Sequence, residues 1–352
     1  MSNSIALTVS AKDDEKTIVR KETFGTSGGL RITFKDLSYH VPSNTAKGER
    51  AYLLKSVNGW FEKHQMSALM GPSGSGKTTL LDVLAGRKNQ GVTEGELAFG
   101  GQAPSRQFLR RYTGYVEQFD TLLGILTVEE MLMYTAELKR SLNEPISSKR
   151  AAVEMVLKKL ALDQCKDVII GNQMTKGISG GQAKGTNIGI ALITNPRVLF
   201  LDEPTSGLDS YTANEVMTVV KALLQDGTTI CATIHSPSQY CFSLFDRLIM
   251  LVRGRVVYFG PSVGAAAFAI SITPKVKEMS AGYNEAEFLV DLVTEADRQG
   301  KGSEIADAYE ASSLCKENQG QLLMYTDSTQ KEQLSEDTQA ELNTRSSTVT
   351  PW

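Results

Sequence analysis

Residues 66–80 read MSALMGPSGSGKTTL: an uncharged run of strand length, a glycine-rich turn, and the start of a helix. Gly71, Pro72, Ser73, Gly74, Ser75, Gly76, Lys77 and Thr78 fit the pattern G-x-x-x-x-G-K-[ST] at every fixed position, with Thr79 next along the helix. The pattern suits anion binding. Glycines let successive backbone N–H groups turn inward on phosphate oxygens with no Cβ in the way, and a helix opening near Gly76 aims its positive end at the same anion. A helix end alone contributes about 0.3–1 kcal/mol, up to about 2 when partly buried, so Lys77 and a metal must supply most of the charge neutralisation. The Thr78 hydroxyl is placed to ligate Mg²⁺.

Outward from this loop, apolar runs at Met66–Met70, Gly114–Val116, Val198–Leu201 and Thr229–Ile234 alternate with helical segments, the sign of a parallel α/β sheet. Each strand would deliver a polar group to one crevice, Lys77 in the case of Met66–Met70. Val198–Leu201 stops at the adjacent carboxylates Asp202 and Glu203, Gln118 follows Gly114–Val116, and His235 follows Thr229–Ile234. In an open α/β sheet ligands sit outside the carboxyl ends of the strands, where Asp202 can hold the metal and Glu203 can orient or deprotonate a water. Ser179, Gly180, Gly181 and Gln182 open a helical segment over Ala183–Thr194, a second helix start suited to an anion. Each feature alone has a plainer reading: a helix-capping turn, a solvated strand end, a structural histidine, an N-cap by Ser179. Their convergence on one crevice favours the chemical one.

Composition narrows the class. The 352 residues carry 37 Lys plus Arg against 40 Asp plus Glu, a net charge of −3 that lacks the electrostatic footprint of a nucleic-acid binder. The four cysteines form no C-x-x-C pair and there are three histidines, so a zinc site or a disulfide framework is not expected. The longest apolar stretches are broken well before the roughly 18 residues a membrane span needs. The N-terminus, MSNSIALTVSAKDDEK, lacks the basic start and apolar centre of a signal peptide.

Along the chain, residues 1–29 read as a polar tail. Short strands begin near Leu30. The Thr127–Leu162 stretch has helical period, with a capping-box spacing at Thr127 and Glu130 and a second helix from about Lys149 to Ala161. Leu248–Val252 and Val256–Phe259 form a hairpin that turns at Gly254. Glu285–Asp297 is amphipathic, and from Arg298 the polar composition predicts a mostly disordered tail over 298–352.

In this order, the phosphate loop, Gln118, Ser179-Gly180-Gly181-Gln182, Asp202-Glu203, Ser206-Gly207-Leu208-Asp209 and His235 resemble the nucleotide-binding domain of ATP-binding cassette (ABC) transporters. GISGGQ, ITNP, LFLDEPTSGLDS, TIHSPS, GRVVYFGP and NEAEFLVDLV look more particularly like the G subfamily, of white and pleiotropic-drug-resistance type; the likeness covers about residues 30–297. It implies a P-loop NTPase (RecA-like) α/β fold: a mixed sheet core with an N-terminal antiparallel β subdomain and an inserted α-helical subdomain at about 119–195. The ATPase domain would span 30–264, with a C-terminal extension over 265–297.

By the same resemblance the ligands are ATP and Mg²⁺, the metal on Thr78, Gln118 and Asp202. Glu203 is the catalytic base, His235 contacts the γ-phosphate, Gln118 couples metal and membrane domain, and Asp209 communicates across a dimer. Two such domains pair head to tail, Ser179–Gln182 of one closing on ATP held by Lys77 of the other. Tyr39 is a candidate for stacking on adenine, with packing in a strand core as its equal alternative. The chain stops before the membrane helices into which such domains continue, so it would work at the cytosolic face of a membrane through a transmembrane domain absent from this chain.

The signature departs from the G-type pattern at Ala183 and Gly185, usually basic positions, and Gly185 costs a helix interior up to about 1 kcal/mol relative to Ala. These departures keep open a nucleotide-binding interaction module without hydrolysis. A soluble, non-transport ABC ATPase is a separate alternative, though such relatives usually carry two cassettes or a long coiled-coil insertion and neither is visible here.

Overall fold

The strand that precedes the phosphate loop lies inside a six-stranded sheet. The computed structural model describes residues 28–42, 49–172, 174–272 and 282–327. A three-stranded antiparallel sheet joins β1 (Ile32–Pro42), β2 (Arg50–Phe61) and β4 (Val92–Phe99) in the order β2-β1-β4. The larger sheet contains β3 (Met66–Met70), β5 (Thr113–Val116), β6 (Val198–Asp202), β7 (Thr229–Thr233), β8 (Arg247–Val252) and β9 (Arg255–Pro261) in the order β5-β6-β7-β3-β8-β9. All its neighbours run parallel except the β8–β9 hairpin. β3, β6 and β7 are buried at every residue, which is why they read as unbroken runs and not as alternating strands.

Side chains alternate across this sheet into two cores. Val198 and Phe200 of β6 join Phe34, Phe61, Phe99 and Phe108 beneath the three-stranded sheet, whereas Leu199 and Leu201 join the opposite, helix-covered face. On the first side lie α1 (Lys77–Leu84) and α2 (Arg106–Tyr112). The second is covered by α3 (Val128–Lys139), α4 (Ile146–Lys159), α5 (Gly180–Leu192), α6 (Ser210–Ala222) and α7 (Gln239–Ser243). The Thr127–Glu130 capping box forms at the start of α3, both of its hydrogen bonds being present.

Two differences from the sequence reading have clear causes. β1 and β2 are long strands, not short ones; shifts in their register flank Asp36 and Ser56, which sit at φ +50° and +47° and interrupt the alternation that would have marked one continuous strand. β4 leaves no mark in the sequence, because its residues Val92–Glu96 are exposed and carry no apolar alternation.

A third difference is a correction. Beyond α8 (Ala265–Ile272) and α9 (Glu285–Arg298), the expected disorder from residue 298 fails over α10 (Gly302–Ala311) and α11 (Ser313–Thr326). A few anchors suffice to fold this polar stretch. Ile305, Ala306, Tyr309, Cys315 and Leu322 are buried, and Tyr325 meets Trp60 edge-on at 5.5 Å with the Arg31 guanidinium 3.8 Å from its ring centre. Average composition over 55 residues hides anchors spaced for one helix face. The N-terminal tail as far as residue 27 and the stretch 328–352 lie outside the described residues.

Leu322, 3% exposed and packed with the core beneath β1 and β2, tests this correction. Leu322→Ala should lower stability by about 2–5 kcal/mol in urea unfolding, as for other buried leucines. A loss within experimental error would mean that α11 does not pack there.

Candidate active site

The turn from β3 into α1 is the base of the site. Gly71, Gly74 and Gly76 adopt φ of +142°, +76° and +104°, and a Cβ on Gly71 would stand 2.2 Å from the Leu251 carbonyl oxygen of β8. The loop is braced from behind: the Gly254 N–H donates to the Ser75 carbonyl at 2.9 Å, and the Lys55 N–H donates to the Gly254 carbonyl at 2.8 Å. Lys77, 7% exposed, donates through Nζ to the carbonyls of Gly71 at 2.8 Å and Pro72 at 3.0 Å. Burial pushes its ammonium below the ordinary lysine value, and the charges of Glu203 and Asp202 oppose that shift.

The carboxylates sit at the end of the adjoining part of the sheet. Asp202, 7% exposed, accepts from the hydroxyls of Thr78 at 3.1 Å and Thr233 at 2.6 Å. The same Thr233 hydroxyl accepts the Glu203 N–H at 2.7 Å. Glu203 lies at φ +45°, a left-handed conformation that costs a non-glycine residue about 1–3 kcal/mol and persists only where surroundings enforce it. Its Oε2 accepts from the Gln118 side-chain amide at 2.8 Å.

Lys77, Thr78, Gln118, Asp202 and Glu203, drawn from β3–α1, the end of β5 and the end of β6, are thus linked around one crevice. His235 is exposed, pairs through Nδ1 with the Ser236 hydroxyl at 3.2 Å, and lines with Glu203, Ser206, Gly207 and Leu208 a cleft of about 290 Å³. Asp209, just beyond, caps α6 by accepting the N–H groups of Tyr211 and Thr212 at 3.0 Å each; these bonds, Thr212 first, hold its carboxyl below the usual range.

Ser179, Gly180, Gly181 and Gln182 stand apart from this cluster. They open α5 through a full capping box, with Ser179 and Gly180 exposed, and Gly180 and Gly181 face Leu208 and Thr212, not the phosphate loop.

Tyr39 requires a correction. It is 3% exposed within β1, its hydroxyl donates to the Gln90 carbonyl, and it belongs to the core beneath the small sheet. A ring enclosed in that way has no face to offer an adenine; core packing is what is observed.

The residues suit a phosphate and a hard divalent ion. Gly74, at φ +76°, has nothing within 4 Å of where a Cβ would stand, so the outer side of the loop is clear to receive a phosphate. Thr78 and Asp202 supply a hydroxyl and a carboxylate already in contact. Two protein oxygens, with phosphate oxygens and waters for the rest, are what Mg²⁺ ordinarily takes. Among the described residues no group of three or more His, Cys, Asp or Glu could hold a metal.

Thr233 carries no mark of its role in the sequence, since a threonine inside a strand is an ordinary β-branched residue. No feature of TICAT distinguishes the one hydroxyl that bonds across to β6.

The family described as ABC transporter matches residues 54–206. ABC transporter G family member 43 of Arabidopsis thaliana is 39% identical over 296 residues, covering 82% of this chain and 21% of that protein. ABC transporter G family member 3 of Dictyostelium discoideum is 39% identical over 283 residues, covering 78% and 20%. The chain therefore spans about a fifth of the length of these curated relatives. Among solved structures, a dimeric ATP-binding cassette in a post-hydrolysis state with ADP and Pi aligns at TM-score 0.55 and 26% identity, covering 66% of this chain and 99% of that one.

Thr233→Val keeps shape and removes the hydroxyl on which Asp202 and Glu203 depend. The Glu203 N–H is then left unmatched, and stability should fall by about 1–3 kcal/mol in urea unfolding. A neutral effect would mean that another group takes over the Glu203 N–H.

Proposed function

For this chain, which belongs to the ABC transporter family and has G family members among its relatives, we propose that residues 30–264 are the ATP-hydrolysing cassette of a transporter. It drives export at the cytosolic face of a membrane, through a transmembrane domain outside this chain. The observation that supports this reading is the pair of bonds Thr78–Asp202 and Gln118–Glu203, a hydroxyl and carboxylate in contact beside a second carboxylate held at a strained backbone position.

Each residue has a task that its surroundings support. The N–H groups of the phosphate loop and Lys77 take the phosphate oxygens of ATP, Lys77 exchanging its two carbonyl partners for them. Thr78 and Asp202 hold Mg²⁺, which neutralises phosphate charge when bound. Glu203 accepts a proton from the attacking water, whose oxygen joins the γ-phosphorus as the bond to the leaving ADP oxygen breaks. Here Glu203 Oε2 accepts from the Gln118 amide, so Gln118 orients the base and leaves its other oxygen for the water. His235 reaches the γ-phosphate from the rim of the cleft.

Ser179, Gly180, Gly181 and Gln182 act on a nucleotide held by a second cassette. Their exposure at the start of α5, away from the chain's own phosphate loop, and the dimeric state of the solved relative support that pairing. Two cassettes related by a two-fold axis would complete two sites, with Asp209 of each near the shared boundary.

Steady-state hydrolysis of MgATP by the purified chain over a concentration series tests this reading. Turnover per chain should rise with concentration, and Glu203→Gln should slow it by about 10²–10⁴-fold with ATP binding kept. ATP binding with no turnover at any concentration, even with a partner cassette supplied, would replace the ATPase by a binding module.

Lys77→Ala should weaken ATP binding itself, read by titration calorimetry, because the loop loses its one cation. Unchanged affinity would remove the phosphate loop from the account.

A further inference from the structure

Lys184 is among the most deeply buried side chains of the protein, 2% exposed, on α5 two residues beyond the Ser179–Gln182 cap. Its Nζ donates to the backbone carbonyl of Gln118 at 2.9 Å and pairs with Asp120 Oδ1 at 2.8 Å. Asn187, three residues on along α5 and 8% exposed, donates to the same Asp120 oxygen at 2.9 Å. Residues three apart lie on one helix face, so Lys184 and Asn187 grip a single segment, Gln118–Asp120. The Gln118 side chain at the head of that segment holds Glu203 Oε2.

A buried ammonium needs its charge matched, and here the match comes from the loop and not from the helix that carries it. Moving α5 relative to the loop would strip Lys184 of both partners while it remains in the protein interior. The segment must therefore follow the helix or the helix must stay. From this geometry we infer that Lys184 is a positioning residue for the reaction. It ties the helix whose exposed end faces a second cassette's nucleotide to the loop that presents Gln118 to the chain's own Glu203. The inference rests on the ATPase reading for its consequence in turnover, and on geometry alone for the link itself.

The test uses the full chain, ¹⁵N-labelled, with the Gln118 side-chain amide signals identified by their loss in Gln118→Ala. In Lys184→Met these signals should move, and Asp120→Asn, at a position whose side chain is 25% exposed, should move them the same way if Lys184→Met folds poorly. Turnover should fall at least about 10-fold with the ATP dissociation constant within about twofold, an effect on the reacting state and not on ground-state binding. In the Gln118→Ala background, adding Lys184→Met should change turnover by less than about twofold, because the two residues act in series.

Amide signals that stay in place in both variants, or losses in turnover that multiply, would overturn the link and make Lys184 a structural ion pair only. A wild-type chain that binds ATP but never turns over would sink the ATPase reading instead, and the amide shift would still decide the link.

Discussion

One hydroxyl sets the geometry of the crevice. Thr233 Oγ1 has no exposure, donates to Asp202 and accepts from the Glu203 N–H, so a single atom fixes the carboxylate on one side and the strained backbone of the next residue on the other. That bond exists because β6 and β7 pair in parallel with Asp202 opposite Thr233. A slip of one residue would turn Thr233 to the opposite face and leave both groups without it. The register of two buried strands, itself set by which residues face which core, is thereby the condition for Thr78, Asp202 and Glu203 to meet.

The phosphate loop depends on the far end of the sequence in a similar way. Its Ser75 carbonyl is held by Gly254 at the β8–β9 turn, and the same turn is held by β2 through Lys55. A Cβ on Gly254 would stand 2.3 Å from the Leu53 carbonyl oxygen, so three chain segments meet at a spacing only glycine permits. Next to it, Arg253 forms an ion pair with Asp297 at the end of α9. With side chains 56% and 27% exposed, that pair contributes little energy by itself, but it joins the C-terminal helices to the turn that braces the loop.

What could be read beforehand follows a physical divide. Met66–Met70 and Thr229–Thr233 were legible because a strand buried on both faces leaves a continuous run, and the phosphate loop because glycine at fixed places is required by backbone geometry. Lys77, Gln118, Asp202 and Glu203 were legible as strand-end groups, and the structure brings them together. Thr233, Lys184 and Asp120 were not, because each acts through a partner remote in sequence and its residue type is common where it stands. β4 escaped notice because an exposed strand needs no apolar residues, and α11 because its few anchors are diluted among polar neighbours. Tyr39 was legible as a strand aromatic, but only its surroundings separate a core ring from a stacking one.

The departures at Ala183 and Gly185 take on a different meaning once α5 is in place. Gly181, Gly185 and Gly189 recur every four residues, and a Cβ on them would meet Thr212 at 2.5 Å, Leu162 at 3.3 Å and Leu132 at 3.0 Å. The stripe lets α6, α3, α4 and the turn after α4 approach the helix closely; Gly185 lies under Leu162, where a long basic side chain would have to displace it. Its cost in helix propensity, up to about 1 kcal/mol, is set against that packing and a complete capping box at Ser179 and Gln182. A buried Gly185 cannot face a nucleotide in any case, whereas the exposed Ser179 and Gly180 can. Between these two positions Lys184 is buried against Asp120. At Gly185 the sequence change that argued for a silent binding module is therefore a packing feature, and it leaves the exposed start of the helix and its capping box intact.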